Sequence, residues 1–171
     1  MLMSYVAPCL LVASPLLLDP HFLHCVVLII DHSEAGAMGV VLNRPVPLTV
    51  AQICEEGGME YNRDNNTTAY YGGPVEPGRG IVLVRGGLPE PDDTVLDFTD
   101  FVSFRRDLLE SLAKDPSANF RLFLGYSGWG AGQLEKELEQ KAWIRVALKP
   151  ELLLLEDPSP LWRETIRTIL E

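Results

Sequence analysis

The sequence predicts one mixed αβ domain (α+β class) spanning residues 1–171, on three observations. At 171 residues the chain is long enough to bury one sizeable core without metal or disulfide help. Short apolar, β-branched runs alternate with four segments of helical spacing, the pattern of a mixed sheet with flanking helices. The stretch Leu122-Phe123-Leu124-Gly125-Tyr126-Ser127-Gly128-Trp129-Gly130-Ala131-Gly132-Gln133-Leu134-Glu135 reads as strand, glycine-punctuated turn and helix. No internal repeat or linker divides the chain.

In chain order, Cys9 to Ala13 reads as a buried strand stopped by Ser14-Pro15. Asp19 before Pro20 signals a helix start of one turn at most. His24 to Ile30 is a continuous apolar run, as for a strand covered on both faces. Asp31 to Ala37 reads as the polar loop of a hairpin whose answering strand is Met38 to Leu42, ended by Asn43-Arg44-Pro45 because proline cannot donate to a ladder. Thr49 caps a helix from Val50 to Glu56, closed by Gly57-Gly58. A polar loop from Glu60 to Thr68, centred on Asn65-Asn66, leads to the strand Ala69-Tyr70-Tyr71. Gly78-Arg79-Gly80 reads as a tight turn before the strand Ile81 to Val84, and Val95 to Phe98 as an edge strand.

Ser103 is the expected cap of a helix from Phe104 to Lys114, with Phe104, Leu108 and Leu112 as its buried stripe and Pro116 as its stop. After the strand Phe120 to Leu124 and the glycine-rich turn, a helix is expected from Gly132 to Lys141. Leu134 and Leu138 share one face of it; Glu135, Glu137 and Glu139 lie mostly on the other. Ala142 to Leu148 is a last strand. Leu161 to Leu170 closes the chain as an amphipathic helix with Trp162, Ile166 and Ile169/Leu170 inward.

The net charge of −10 narrows the partners. Residues 1–60 hold one basic side chain, Arg44, and the basic residues of the last 71 are interleaved with acids, so no phosphate-binding cluster forms and direct nucleic-acid binding is not expected. Cys9, Cys25 and Cys54 are an odd number in apolar or helical segments, which suits buried thiols in a reducing, cytoplasmic compartment. The longest apolar run, Cys25 to Ile30, is far shorter than the ~20 residues a membrane span needs, so no membrane partner is expected.

Leu11-Val12-Ala13-Ser14-Pro15 with Asp19-Pro20-x-Phe22, followed by Asp31-His32 and Gly36-Ala37-x-Gly39-Val40-Val41-Leu42-Asn43-Arg44-Pro45, resembles the AlgH/YqgE family of bacterial proteins. Gly72-Gly73-Pro74-Val75 with Arg79-Gly80-x-Val82-Leu83, and Gly125 to Glu135, are similar to its two other signature blocks. The resemblance implies a bifurcated sheet folded into a pseudo-barrel. It also implies a role in regulation, through a name tied to alginate synthesis and the label of transcriptional regulator. Three positions depart from the family pattern. Ser103-Phe104-Arg105 stands for a Thr-Thr-Ser-like helix start, Val84-Arg85 for the region of a histidine, and Ser127 for a residue that is often alanine.

Ser127 between strand and helix invites comparison with a nucleophile elbow, but Trp129 occupies the place of the second glycine and no histidine follows as base. The chain therefore leans towards a non-enzymatic role. Gly128, Gly130 and Gly132 fit a structural turn better than a phosphate loop, which needs Gly-Lys-Ser/Thr. His21, His24, Cys25 and His32 lack a reliable common face and a fourth ligand, so neither a metal nor another cofactor is expected. Arg44 and Arg79 read either as guanidiniums satisfying loop carbonyls and carboxylates, or as part of one binding surface with Tyr126, Trp129 and Gln133.

Two functions are thus carried forward. One is a cytoplasmic regulatory or interaction protein with an unidentified protein partner. The alternative is a protein or enzyme that binds a small anionic ligand in a pocket beside residues 125–135.

Overall fold

A strand of eleven residues, β9 (Asn119–Trp129), is the branch point of the sheet. The computed structural model describes residues 5–64 and 67–170. The other strands are β1 (Cys9–Ala13), β2 (Val26–Ser33), β3 (Gly36–Val41), β4 (Pro45–Thr49), β5 (Thr68–Tyr71), β6 (Val75–Arg85), β7 (Thr94–Val95), β8 (Asp100–Ser103) and β10 (Trp143–Val146). The helices are α1 (Val50–Glu56), α2 (Arg106–Lys114), α3 (Gln133–Glu139) and α4 (Leu161–Leu170).

The main path of the sheet runs β10-β1-β2-β3-β9-β6-β8-β7. One edge of β9 pairs antiparallel with β6. Its other edge is divided: β5 runs parallel to it at Phe123 and Leu124, and β3 antiparallel from Ser127 to Trp129. The sheet is therefore mixed and bifurcated, as expected. It is not closed, because its path ends at β10 on one side and β7 on the other.

Glycines make the fork possible. Gly125 sits at φ +74 between the β5 and β3 pairings, and an added Cβ there would collide with the Gly73 carbonyl. A Cβ on Gly72 would in turn collide with the Gly125 carbonyl. Only backbones without side chains approach so closely.

Three apolar clusters fill the two sides of the sheet. Leu28, Leu83 and Phe123 belong to the first, Val82, Leu112 and Leu122 to the second, and Val27, Trp129 and Trp143 to the third. Cys9, Cys25 and Cys54 are all free and buried, and burial pushes the Cys9 and Cys25 thiols up to about 11. Such thiols are protonated and unreactive at neutral pH.

Several elements differ from the sequence reading, each for a physical reason. The segment Gly125 to Trp129 is strand and not turn, because β3 supplies ladder partners that a sequence window cannot see. The hairpin loop shrinks to Glu34-Ala35, since β2 continues through Asp31-His32-Ser33. Pro45 does not end a sheet but opens β4, a position that needs no donor. Gly78-Arg79-Gly80 lies in β6, where the register shift between Val75 and Gly80 marks a bulge.

The expected edge strand at Val95 to Phe98 reduces to Thr94–Val95, and the strand Asp100–Ser103 lies beside it. That added strand moves the α2 start to Arg106 and shifts the buried set to Leu109, Leu112 and Ala113, leaving Phe104 outside the helix. Asp19 does cap a turn, accepting the His21 N–H at 2.9 Å, but no helix follows. The Asn65-Asn66 loop centre and the inward Leu170 side chain lie outside what is described.

Candidate functional site

The signature segment folds into a closed knot. In a strand, residues three apart face opposite sides, so Tyr126 and Trp129 part company. Trp129 is 5% exposed and packs among Phe22 and Trp143, with ring centroids 6.0 Å away in each case. Its Nε1–H donates to Glu137 Oε1 at 3.1 Å, and Trp143 Nε1–H donates to the same oxygen at 2.9 Å. Gln133 Nε2 donates to Glu137 Oε2 at 2.8 Å, while Gln133 Oε1 accepts the Gly130 N–H at 2.9 Å. Both oxygens of Glu137 are thus occupied, so the knot presents no free polar group at its centre.

The neighbouring acid is committed as well. His32 Nδ1 accepts the Val6 N–H at 3.0 Å, so its proton sits on Nε2 and is donated to Glu135 Oε1 at 2.8 Å. That hydrogen bond holds the Glu135 carboxyl below its usual value, against burial. The acidic face of α3 expected in solvent is therefore partly spent on the body of the protein. Ser127 is fully buried and its hydroxyl donates to the Gly72 carbonyl at 3.0 Å, an arrangement that leaves no activating base.

Arg44 belongs to this side of the molecule. Its guanidinium donates to the carbonyls of Pro20, His21 and Leu23 at 3.2, 2.7 and 3.0 Å, and lies 5.6 Å from the Tyr71 ring centroid. It fastens the 20–24 loop. Of the three histidines, His21 meets the Tyr71 hydroxyl at 3.2 Å and His24 stacks on Trp162. Among the described residues no three His, Cys, Asp or Glu side chains group as metal ligands.

Arg79 and Tyr126 lie elsewhere. Tyr126 meets Phe104 edge-on at 6.4 Å, and Arg79 lies 4.8 Å from the Phe104 centroid. Burial, then the Glu76 carboxylate bonded to it, raises the Tyr126 phenol. Glu76 carries φ +47, an unfavourable value for a residue with a side chain, in the bulge that presents Arg79. The shared surface of Arg44, Arg79, Tyr126, Trp129 and Gln133 expected from sequence is therefore split: Arg44, Trp129 and Gln133 go with the knot, Arg79 lines a cleft, and Tyr126 packs on Phe104 at its side.

That cleft, of about 490 Å³, runs between α1, the β6 bulge and the start of α2. Ile53, Met59, Leu109, Leu122 and Leu124 give it an apolar floor, and Arg79, Arg105 and Arg106 stand on its rim with one lining carboxylate, Glu56. The three guanidiniums are not equivalent. Arg105 is fastened to Asp93 through two bonds of 3.1 and 2.9 Å. Burial raises the Asp93 carboxyl, but the bonds from Arg105, Ser103 and the Glu90 segment outweigh it and hold it at about 2.

Arg79 meets Glu76 at 3.5 Å and Arg106 meets Glu110 at 3.3 Å, with all four side chains roughly half exposed. Pairs of that kind contribute about 0–1 kcal/mol and exchange readily with another anion. Arg106 also donates to the Gly57 carbonyl at the end of α1. Sequence reading missed Phe104, Arg105 and Arg106 as site residues. The available signal was a basic pair at a helix start, where the helix dipole favours acids.

Of the three signature glycines, Gly132 has φ +75 before α3 and needs its left-handed conformation. Gly128 sits in β9, and a Cβ there or on Gly130 would make only ordinary contacts, so the turn role expected for them is weak. Arg85, at the departure from the family pattern, makes two 2.8 Å bonds to buried Asp100 and straps β6 to β8. No described helix is long and apolar enough to cross a membrane.

Comparison with known proteins gives one consistent result. The profile described as AlgH-like matches residues 10–170. The chain is 40% identical over 167 residues to a UPF0301 protein of Myxococcus xanthus, covering 96% of this chain and 91% of that one. It is 38% identical over 165 residues to a UPF0301 protein of Idiomarina loihiensis, covering 91% and 86%. Among solved structures, the solution structure of the AlgH protein from Pseudomonas aeruginosa superposes with a TM-score of 0.79 at 34% identity, over 99% of this chain and 92% of that one. A crystal structure of a Corynebacterium diphtheriae protein, TM-score 0.74 at 24% identity over 97% and 90%, shares the fold.

Proposed function

Because the chain belongs to the AlgH-like family, we propose that it is a non-enzymatic cytoplasmic regulatory or interaction protein whose arginine-rimmed cleft takes an acidic segment of a protein partner. The observation that carries the reading is the state of Arg79 and Arg106. In a chain of net charge −10, two guanidiniums stand half exposed over an apolar floor; the carboxylates they meet form only weak surface pairs, and Arg106 keeps one further bond to the Gly57 carbonyl. A partner's carboxylates replace Glu76 and Glu110, and an apolar side chain beside them covers the floor. The buried, unpaired thiols suit a reducing compartment.

Any effect on transcription then passes through that partner. The basic residues are too interleaved with acids to follow a phosphate backbone. A second reading, a small anionic ligand in the same place, draws on the volume of about 490 Å³, within the usual range for ligand pockets. The test is quantitative capture of partners by the unmodified protein and by an Arg79→Glu/Arg106→Glu double variant. Loss of specific partners from a variant that still melts normally supports the reading; unchanged capture removes the cleft from it.

A further inference from the structure

A second concavity lies under the C-terminal helix, formed by residues that the arginine cleft does not use. An open groove of about 580 Å³ lies between α4 and the chain from β10 to the 3-10 turn Pro150–Leu152. Leu152, Leu155, Leu161 and Ile169 line it. Thr165 and Thr168 also line it, but their hydroxyls donate to the Leu161 and Glu164 carbonyls at 2.7 and 3.0 Å. With those hydroxyls spent inside the helix, the α4 wall is apolar apart from Glu164.

Ile169, which the spacing of α4 directs inward, remains 38% exposed, so among the described residues this apolar face lacks a complete cover. On the facing wall Arg145 and Lys149 have no ion-pair partner among the described residues. Glu164 is engaged by Arg167 at 3.4 Å, and Glu151 is the other acid at the rim.

We propose that this groove binds a single-chain monocarboxylate, such as a medium-chain fatty acid, with its tail against Leu152, Leu155 and Ile169 and its head at Arg145 and Lys149. The volume falls within the range of about 300–1,000 Å³ typical of ligand sites. The unpaired cations select an anionic head. Glu151 and Glu164 beside them disfavour a second negative charge, which sets a carboxylate above a phosphate monoester. An apolar tail covers the exposed Ile169 surface and gains the transfer free energy of its methylenes.

The experiment titrates the labelled protein by NMR with laurate below its micellar concentration, and in parallel with dodecanol and dodecyltrimethylammonium. Laurate is expected to shift the amides of Leu152, Leu155, Thr165 and Ile169 saturably. It should bind at least about tenfold more tightly than the cationic amphiphile, as expected for like against opposite charge at the head. Arg145→Glu with Lys149→Glu should weaken laurate by at least about tenfold and favour the cation. The comparison of probes on the unmodified protein stands whether or not that variant folds. Absent or unsaturable shifts, shifts centred on exposed Leu16 and Leu18, or equal affinity for both charged amphiphiles would overturn the proposal. Laurate binding is expected to be unaffected by Arg79→Glu/Arg106→Glu, which separates this groove from the cleft.

Discussion

The knot around Trp129 and the cleft around Arg79 both draw on β9, the knot through Trp129 and the cleft through Leu122 and Leu124, yet their polar groups are in opposite states. Glu137 uses both oxygens on two indoles and an amide, and each of those donors is satisfied. Arg79 and Arg106 hold their carboxylates at 3.5 and 3.3 Å in the open. A satisfied, half-buried network specifies a fold, because breaking it leaves the indole N–H groups of Trp129 and Trp143 without their acceptor. A weakly paired charge over apolar floor keeps its capacity for something else. The most recognisable residues of the sequence are therefore tied up in the fold, and the proposed interaction surface lies beside them.

The largest expected effect breaks the knot. Trp129→Ala removes a buried indole and leaves one oxygen of Glu137 with a single partner, and should cost about 3–5 kcal/mol. For a chain of this length that lowers the melting temperature by on the order of 10 °C, measurable by calorimetry.

An intermediate effect separates the three cleft arginines. Asp93 is held at about 2 against an unfolded value of 3.8, so its pairing with Arg105 stabilises the fold fully above about pH 4. The contribution is lost as pH falls from about 4 to 2. Asp93→Asn should therefore be less stable at pH 7 by on the order of 2 kcal/mol, with the two proteins converging near pH 2 in denaturant titrations. A constant difference across that window would place Arg105 with its weakly paired neighbours.

A smaller contrast lies inside the signature itself. Gly132→Ala must adopt a left-handed conformation at φ +75 and should cost about 1 kcal/mol. Gly128→Ala meets only ordinary contacts in an extended strand and should be neutral within about 0.5 kcal/mol. Equal losses at both positions would restore the turn role that the spacing suggested.

The capped helix α1 and the β2–β3 hairpin were legible because their signals are local: Thr49 with Gln52, and two apolar runs with a short polar interval. The fork at β9 was legible only through the family resemblance and not from local signals, because the partners of Ser127 and Trp129 come from β3, some ninety residues earlier. Gly125 reads as turn punctuation and Gly72 only as part of a signature block, although a Cβ on either would collide with backbone brought close by the fork. Arg44 and Arg79 looked alike in sequence. Three carbonyls of the 20–24 loop claim the first, whereas a half-exposed glutamate and the face of Phe104 hold the second. The choice between structure and function at an arginine depends on those distant neighbours.

If the cleft, and not the signature knot, is the interaction surface, reversing its two half-exposed charges removes partners without unfolding the chain. The most direct test measures thermal stability and partner capture together on Arg79→Glu/Arg106→Glu. The account predicts stability within roughly 1 kcal/mol of the parent, as for half-exposed charges, with specific partners lost from the captured set. A folded double variant that captures the same partners in the same amounts would contradict it.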